Sequence, residues 1–262
     1  MTDTILIRED AGPIATLTLN DPTKLNALSD AMIAALSQSL DALATDPAIK
    51  VVILRGAGRA FCAGHDLREM QAARQAPDGG AAAFKDLFDR CATMMQKIPA
   101  LPQPVIAQVH GIATAAGCQL VASCDLAVST ADTHFGVNGV NIGLFCSTPM
   151  VALTRKVPPG VAFEMLTTGE FITGQRAAEV GLINRLASAE DLPAATHKLA
   201  ETIASKLGAA VKIGKRAFYD QLGLPLAAAY ALTGTVMVEN MLYPDTNEGI
   251  CAFLEKRKPD WA

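Results

Sequence analysis

Carboxylates are missing from two long stretches of this 262-residue chain. No Asp or Glu lies between Val105 and Cys124, and none between Phe135 and Phe163. Within those stretches no carboxylate can carry a proton. Aromatic residues are also scarce at 5%, and charged residues make up 18% against 50% hydrophobic. That balance suits one α/β domain with a sizeable core and a smaller appendage. No uninterrupted apolar run is long enough to span a bilayer, so no membrane partner is expected. The N-terminal MTDTILIRED lacks a basic region followed by an apolar core, and it is not Arg-rich. No leader is therefore expected, and a cytoplasmic protein is.

Cys-x-x-Cys pairs are absent too. The six cysteines stand at 62, 91, 118, 124, 146 and 251, and no histidine lies at zinc-ligand spacing, so no metal site is expected. Reduced, buried thiols fit a cytosolic chain. The net charge of -4 leaves no electrostatic footprint for nucleic acid; only Lys256-Arg257-Lys258 forms a basic run.

What is present centres on Pro104 to Pro149. Val105-Ile106-Ala107-Gln108-Val109 reads as a buried strand broken by His110-Gly111. A small-residue turn, Ala113 to Gly117, leads into Cys118-Gln119-Leu120-Val121-Ala122, which has helical character. A strand that turns through small residues into a helix leaves unpaired N–H groups at the positive end of the helix dipole. Such a corner can hold an oxyanion; it can equally be a tight crossover that only permits close packing. Phe61-Cys62-Ala63-Gly64-His65-Asp66-Leu67 offers a second corner of the same kind.

Around these, Thr4–Glu9 and Ile14–Asn20 read as a hairpin turning at Gly12-Pro13. Ser29 reads as the N-cap of a helix whose apolar face is Ala31, Ile33, Leu36, Leu40 and Leu43. Lys50–Gly56 reads as a buried parallel strand. Gly56-Ala57-Gly58 follows, but position 61 is Phe, so the dinucleotide pattern G-x-G-x-x-G fails and counts against a Rossmann enzyme. Residues 71–83 read as a flexible loop, then a helix through Phe84, Leu87, Phe88, Cys91, Met94 and Met95. Helices are expected over 151–157 and 161–168. From Leu192 the chain reads as amphipathic helix with breaks near Gly208, at Gly223-Leu224-Pro225 and at Tyr243-Pro244.

The two corners together, with HGIATAAGCQLVASCD and GVNIGLFCSTP, resemble the enoyl-CoA hydratase/isomerase (crotonase) family, in particular the group of enoyl-CoA hydratase domain-containing protein 3. The resemblance runs from Ile14 to Trp261. It implies an α/β spiral of ββα units (1–190, crotonase or ClpP-like) and a C-terminal helical subdomain (191–262) that packs a trimer or dimer of trimers. It implies an acyl-CoA thioester as ligand, with coenzyme A part of the substrate and no separate cofactor. The N–H groups of His65 and Ala116 would form the oxyanion hole. Lys24 and Leu28, in Lys-x-Asn-Ala-Leu, would meet the nucleotide end of coenzyme A, although a solvated loop lysine explains Lys24 equally well. Ala63 would lie near the adenine, with Asp66, Leu67 and Arg68 along the channel. Phe253 and Lys256 would reach a coenzyme A, often on a neighbouring subunit. The helix through Phe84 to Met95 would border the acyl tail.

Hydratases of this family move protons with two glutamates. Here the first position is Gln119 and the second, twenty residues on, is Gly139. A primary amide cannot exchange protons near neutral pH, and losing positioned acid–base catalysis costs roughly 10²–10⁴-fold per group. Three readings follow. The chain uses other proton carriers (Gln119, Asn138, Asn141, Cys146, Asp66 or Glu69) for a different reaction such as isomerisation or thioester hydrolysis; it binds acyl-CoA without turnover; or it is a conventional hydratase. Cys118 or Cys146 as nucleophile lacks a neighbouring His in sequence. The His65 imidazole either titrates in the site or points away from it.

Overall fold

The computed structural model describes residues 4–261. Met1, Thr2 and Asp3, the start of the stretch read for a leader, lie outside them, as does Ala262. β1 (Leu6–Ala11) and β2 (Ile14–Leu19) form the expected antiparallel hairpin. Gly12 takes φ +57° at its turn, a conformation that suits glycine. α1 (Asp30–Ala44) then crosses to β3 (Val51–Gly56), which pairs parallel with β2. Ser29 caps α1, its side chain accepting from Met32 N at 3.3 Å.

The next crossover carries α2 (Leu67–Ala73) and α3 (Ala81–Ala100) before β4 (Val105–Val109). The loop expected over 71–83 is thus shorter. α2 runs into it because Asp66 caps that helix through Arg68 N, at 2.9 Å. After β4 the chain makes β5 (Ile112–Thr114), α4 (Ala116–Ser123), β6 (Leu126–Thr130) and β7 (His134–Gly136). α5 (Ser147–Leu153), α6 (Pro159–Thr168), β8 (Ile172–Thr173), α7 (Gly174–Glu179) and β9 (Arg185–Ala187) follow. α5 starts four residues before the expected 151. A six-stranded sheet runs β1-β2-β3-β4-β6-β9, parallel beyond the hairpin, and a three-stranded sheet runs β5-β7-β8.

The parallel strands alternate between two buried faces. Val52 and Leu54 of β3 join Leu17, Leu19, Met32, Leu36, Phe61, Met94 and Ile98 in the larger core. Val51 and Ile53 point the other way, to Ile106, Val128 and to Leu192, Leu199 and Ala200 of α8 (Leu192–Ala204). Each fully buried aliphatic side chain contributes about 1.5–3 kcal/mol. α8, the first helix of the expected 191–262 subdomain, therefore covers the sheet itself. α9 (Gly208–Gln221), α10 (Leu226–Met241) and α11 (Pro244–Leu254) break where the sequence places the breaks. They leave Leu226, Tyr230, Leu242, Phe253 and Leu254 at least 73% exposed.

A buried ion pair pins α9 to the far end of α4. Lys215 Nζ reaches Asp125 Oδ2 at 2.7 Å and donates to the carbonyls of Ile98 and Gln103. Asp125 also accepts from Tyr219 OH at 2.7 Å and Val105 N at 2.6 Å. Burial pulls the Lys215 ammonium below its ordinary pKa, while Asp125 pushes the other way. A cavity of about 470 Å³ opens beside this pair, away from the corners named above.

Candidate active site

Residues 62–65 are held between two other segments. On one side Cys62 N donates to Ile112 O (3.2 Å) and Thr114 N to Cys62 O (3.1 Å), stitching them to β5. On the other, Ala63 N donates to Leu25 O (3.0 Å) and Leu28 N to Gly64 O (2.7 Å). Asn26, fully buried, braces the latter loop by donating to Ala57 O and Ala60 O, each at 2.8 Å.

This stitching brings the two corners together. Gly64 takes φ +87°, and a Cβ placed on it would lie 3.0 Å from Ala115 Cβ and 3.3 Å from Ala116 N. A Cβ on Gly117 would lie 2.2 Å from Cys62 O, so only glycine lets the chains approach there. Between them Ala115 is held at φ 49°, ψ -119°, a conformation that is costly for alanine. Its N–H is fixed by Gly136 O at 2.9 Å. The N–H groups of His65 and Ala116 have no hydrogen-bond acceptor among the described residues. Two unpaired donors beside a helix N-terminus, held in a strained frame, can donate to a developing oxyanion.

Gln119 stands one turn into α4, on the face that begins at Ala116. It is 5% exposed, and its Oε1 is buried with no partner. Gly139 lies in a 3-10 turn over Asn138–Ile142. A Cβ there would be 2.2 Å from Leu144 O and 2.8 Å from Cys146 Sγ. The position that sequence counting marks for a second carboxylate has no room for any side chain. Asn138 accepts from Thr114 Oγ1 at 2.5 Å, and Asn141 donates to Gly169 O at 3.2 Å, so both amides have structural partners.

The other candidate proton carriers are also occupied elsewhere. Asp66 caps α2 and pairs with Lys24 Nζ at 2.9 Å; this bond lowers its pKa and raises that of Lys24. Glu69 Oε2 accepts from Asp30 N at 2.9 Å, at the start of α1. Burial pushes the Cys118 thiol up to about 12 and raises Cys146, so neither is a thiolate near neutral pH. His65 Nδ1 lies 3.4 Å from Leu28 O, and its ring stands near-perpendicular to that of Phe88 with the centroids 5.7 Å apart. Burial lowers its pKa, so the imidazole is neutral.

Residues 9–262 match the enoyl-CoA hydratase/isomerase family. The chain belongs to that family. It is 44% identical to enoyl-CoA hydratase domain-containing protein 3, mitochondrial, of Xenopus laevis, over 95% of this chain and 83% of the relative. A solved enoyl-CoA hydratase of Mycobacterium smegmatis shares 50% identity at a TM-score of 0.94, covering 98% of each chain. The solved human enoyl-CoA hydratase domain-containing protein 3 shares 43% at 0.93, over 98% of this chain and 100% of that one. The crotonase fold and the resemblance to the domain-containing protein 3 group both stand on these findings. The cytoplasmic placement expected from the N-terminus is corrected by them, since the curated relatives of that group are named mitochondrial. Absence of an obvious leader motif was a weak basis for it, because address signals are read from loose composition.

Within the family frame, the remaining expected ligand residues fall in two groups. Lys24, Leu28, Ala63, Asp66, Leu67 and Arg68 come together where the Leu25–Leu28 loop meets the start of α2; Leu28 and Asp66 are buried, Leu67 and Arg68 exposed. Phe253, on α11, and Lys256, just after it, form the other group. Both are exposed, Lys256 at φ 56°, and no hydrogen bond or ring contact joins them to the first group among the described residues. Also among the described residues, no cluster of three His, Cys, Asp or Glu could hold a metal, and no helix is long and apolar enough to cross a membrane. Sequence reasoning missed Leu144, whose backbone fills the space at Gly139, because no residue type signals a carbonyl's approach.

Proposed function

We propose that this chain binds an acyl-CoA thioester with its carbonyl oxygen between the N–H groups of His65 and Ala116, and that it lacks two-carboxylate hydratase catalysis. The observation that carries the reading is the pairing of a strained corner, whose two N–H donors are unpaired, with the absence of a free carboxylate beside it among the described residues. Stabilising the enolate oxygen needs only the two donors. Adding water across the double bond also needs a base and an acid. Gln119 supplies neither, and position 139 has no side chain to supply one.

In this reading Lys24, Leu28, Ala63 and Asp66 to Arg68 flank the coenzyme A, and Phe253 and Lys256 meet it from a neighbouring subunit. The exposed apolar residues of α10 and α11 would be covered in a trimer or a dimer of trimers, an area too apolar to suit a free surface. Coenzyme A is then part of the substrate, with no separate cofactor.

The test is hydration of crotonyl-CoA by purified protein, read as loss of enoyl absorbance, beside binding of butyryl-CoA. Binding without turnover supports the proposal. Turnover at ordinary hydratase rates that scales with enzyme overturns its catalytic half, and no butyryl-CoA binding overturns the whole.

A further inference from the structure

The face of the large sheet that α8 covers changes character along its strands. Side chains alternate between faces, so residues two apart share one. Ile14, Val51, Ile53 and Ile106 pack there against α8. The next residues on that face are Thr16 and Thr18 of β2, Arg55 of β3 and Gln108 of β4. Register places Thr18 beside Arg55, and Arg55 beside Gln108. Apolar rows thus turn polar at the carboxyl ends of three adjacent parallel strands, the end at which open α/β sheets bind ligands. Phe61, Cys62 and Ala116 belong to the core on the opposite face, so this end is separate from the two corners.

A cavity of about 360 Å³ opens here, where Ile53, Arg55 and Gln108 face Pro193 and Ala194 in the first turn of α8. Gln108 is 8% exposed, and its side-chain amide has no hydrogen-bond partner among the described residues. Unlike Gln119 Oε1 it is not sealed in the interior, so its remaining surface opens on the cavity it lines. A buried amide in that state is costly unless water or a ligand completes it. Arg55 donates from Nε to Thr18 Oγ1 at 2.9 Å and from Nη2 to Glu9 Oε2 at 3.0 Å. Its Nη1 has no partner among the described residues. The start of α8 adds the positive end of a helix dipole.

Two donors on neighbouring strands, one of them fully charged, match the paired oxygens of a carboxylate. Glu9 sits on the guanidinium, and Glu201 lies 3.3 Å from Nε2 of His197, which also lines the cavity. Those two negative charges disfavour a divalent phosphate and leave room for one charge only. We propose that this cavity binds a small organic monocarboxylate, its oxygens held by Arg55 Nη1 and the Gln108 amide NH₂ and its carbons against Ile53, Pro193 and Ala194. The site is distinct from the thioester site and stands without it.

The experiment is a saturation-transfer NMR titration of the full chain with butyrate and with butyramide, its uncharged isostere. Butyrate is expected to bind about tenfold or more tightly than butyramide. Arg55→Met and Gln108→Leu are each expected to weaken butyrate about tenfold or more. No binding of butyrate overturns the proposal, and water then completes the Gln108 amide. Butyramide binding as tightly as butyrate, or phosphate displacing butyrate at equal concentration, overturns the monocarboxylate class. Butyrate held by folded Arg55→Met as tightly as by the wild type sits elsewhere, and this too overturns the proposal. Arg55 is partly exposed, so Arg55→Met decides the matter even where Gln108→Leu folds poorly.

Discussion

The backbone oxygen of Leu144 stands 2.2 Å from where a Cβ on Gly139 would be. Leu144 N also donates to Gly139 O at 2.9 Å, closing the turn on itself. Backbone, unlike a flexible side-chain end, cannot step aside cheaply. Gly139→Glu is therefore expected to destabilise the fold by about 1–3 kcal/mol, as overpacked sites do. It is also expected to add no crotonyl-CoA hydration. Urea denaturation and the enoyl assay check the two parts; a stable Gly139→Glu protein would show that the turn yields.

Gln119→Glu restores a carboxylate at the one position with room for it. A gain in hydration over the wild type is expected, yet well short of a two-carboxylate enzyme, since the second group is still missing. The same absorbance assay reads it. No gain at all would mean that position 119 does not face the reacting carbons.

Ala116→Pro removes one of the two donors at the first position of α4, where a helix tolerates proline. Loss of an oxyanion donor is worth about 10²–10³ in rate where there is turnover, and acyl-CoA affinity is expected to fall with it. Unchanged butyryl-CoA affinity in a folded variant, checked by circular dichroism, would move the oxyanion site elsewhere.

The neutral, half-buried imidazole of His65 gives a pH signature. Its folded pKa lies below the ordinary 6.5, with desolvation the leading cause. Below 6.5 the unfolded chain binds a proton that the folded one does not, so stability falls as pH drops through that window. The thermal midpoint of the wild type is expected to decline from pH 7 towards 5 more steeply than that of His65→Gln. Parallel curves would mean that the ring protonates without penalty.

Asp125 and Lys215 form the buried pair that joins α9 to the strand ends. Removing one partner strands the other, at a cost of about 3–5 kcal/mol. Lys215→Met should lower stability by that order in denaturant titration. Adding Asp125→Leu should recover part of the loss, because no unpaired charge is then left behind. A double variant as unstable as the sum of the singles would show that the pair is not coupled.

Sequence alone determined the features that depend on neighbours along the chain. The alternation Val51, Val52, Ile53, Leu54 specified a strand buried on both faces, Ser29 set the start of α1, and the breaks near 208, 223–225 and 243–244 set α9, α10 and α11. The two corners were legible because small residues between strand and helix have few other uses, and residue counting exposed the missing glutamates. Only the tertiary structure decided the rest. β5 was hidden in a small-residue run because its partner β7 lies twenty-two residues on. Asp66 and Glu69 were legible as carboxylates, but their capture by Arg68 N, Lys24 and Asp30 N required α1 and α2 to meet. The unpaired Gln119 amide and the closed space at Gly139 are likewise properties of distance. A sequence lists which groups a chain carries, and only packing determines which of them are left with a free bond to offer.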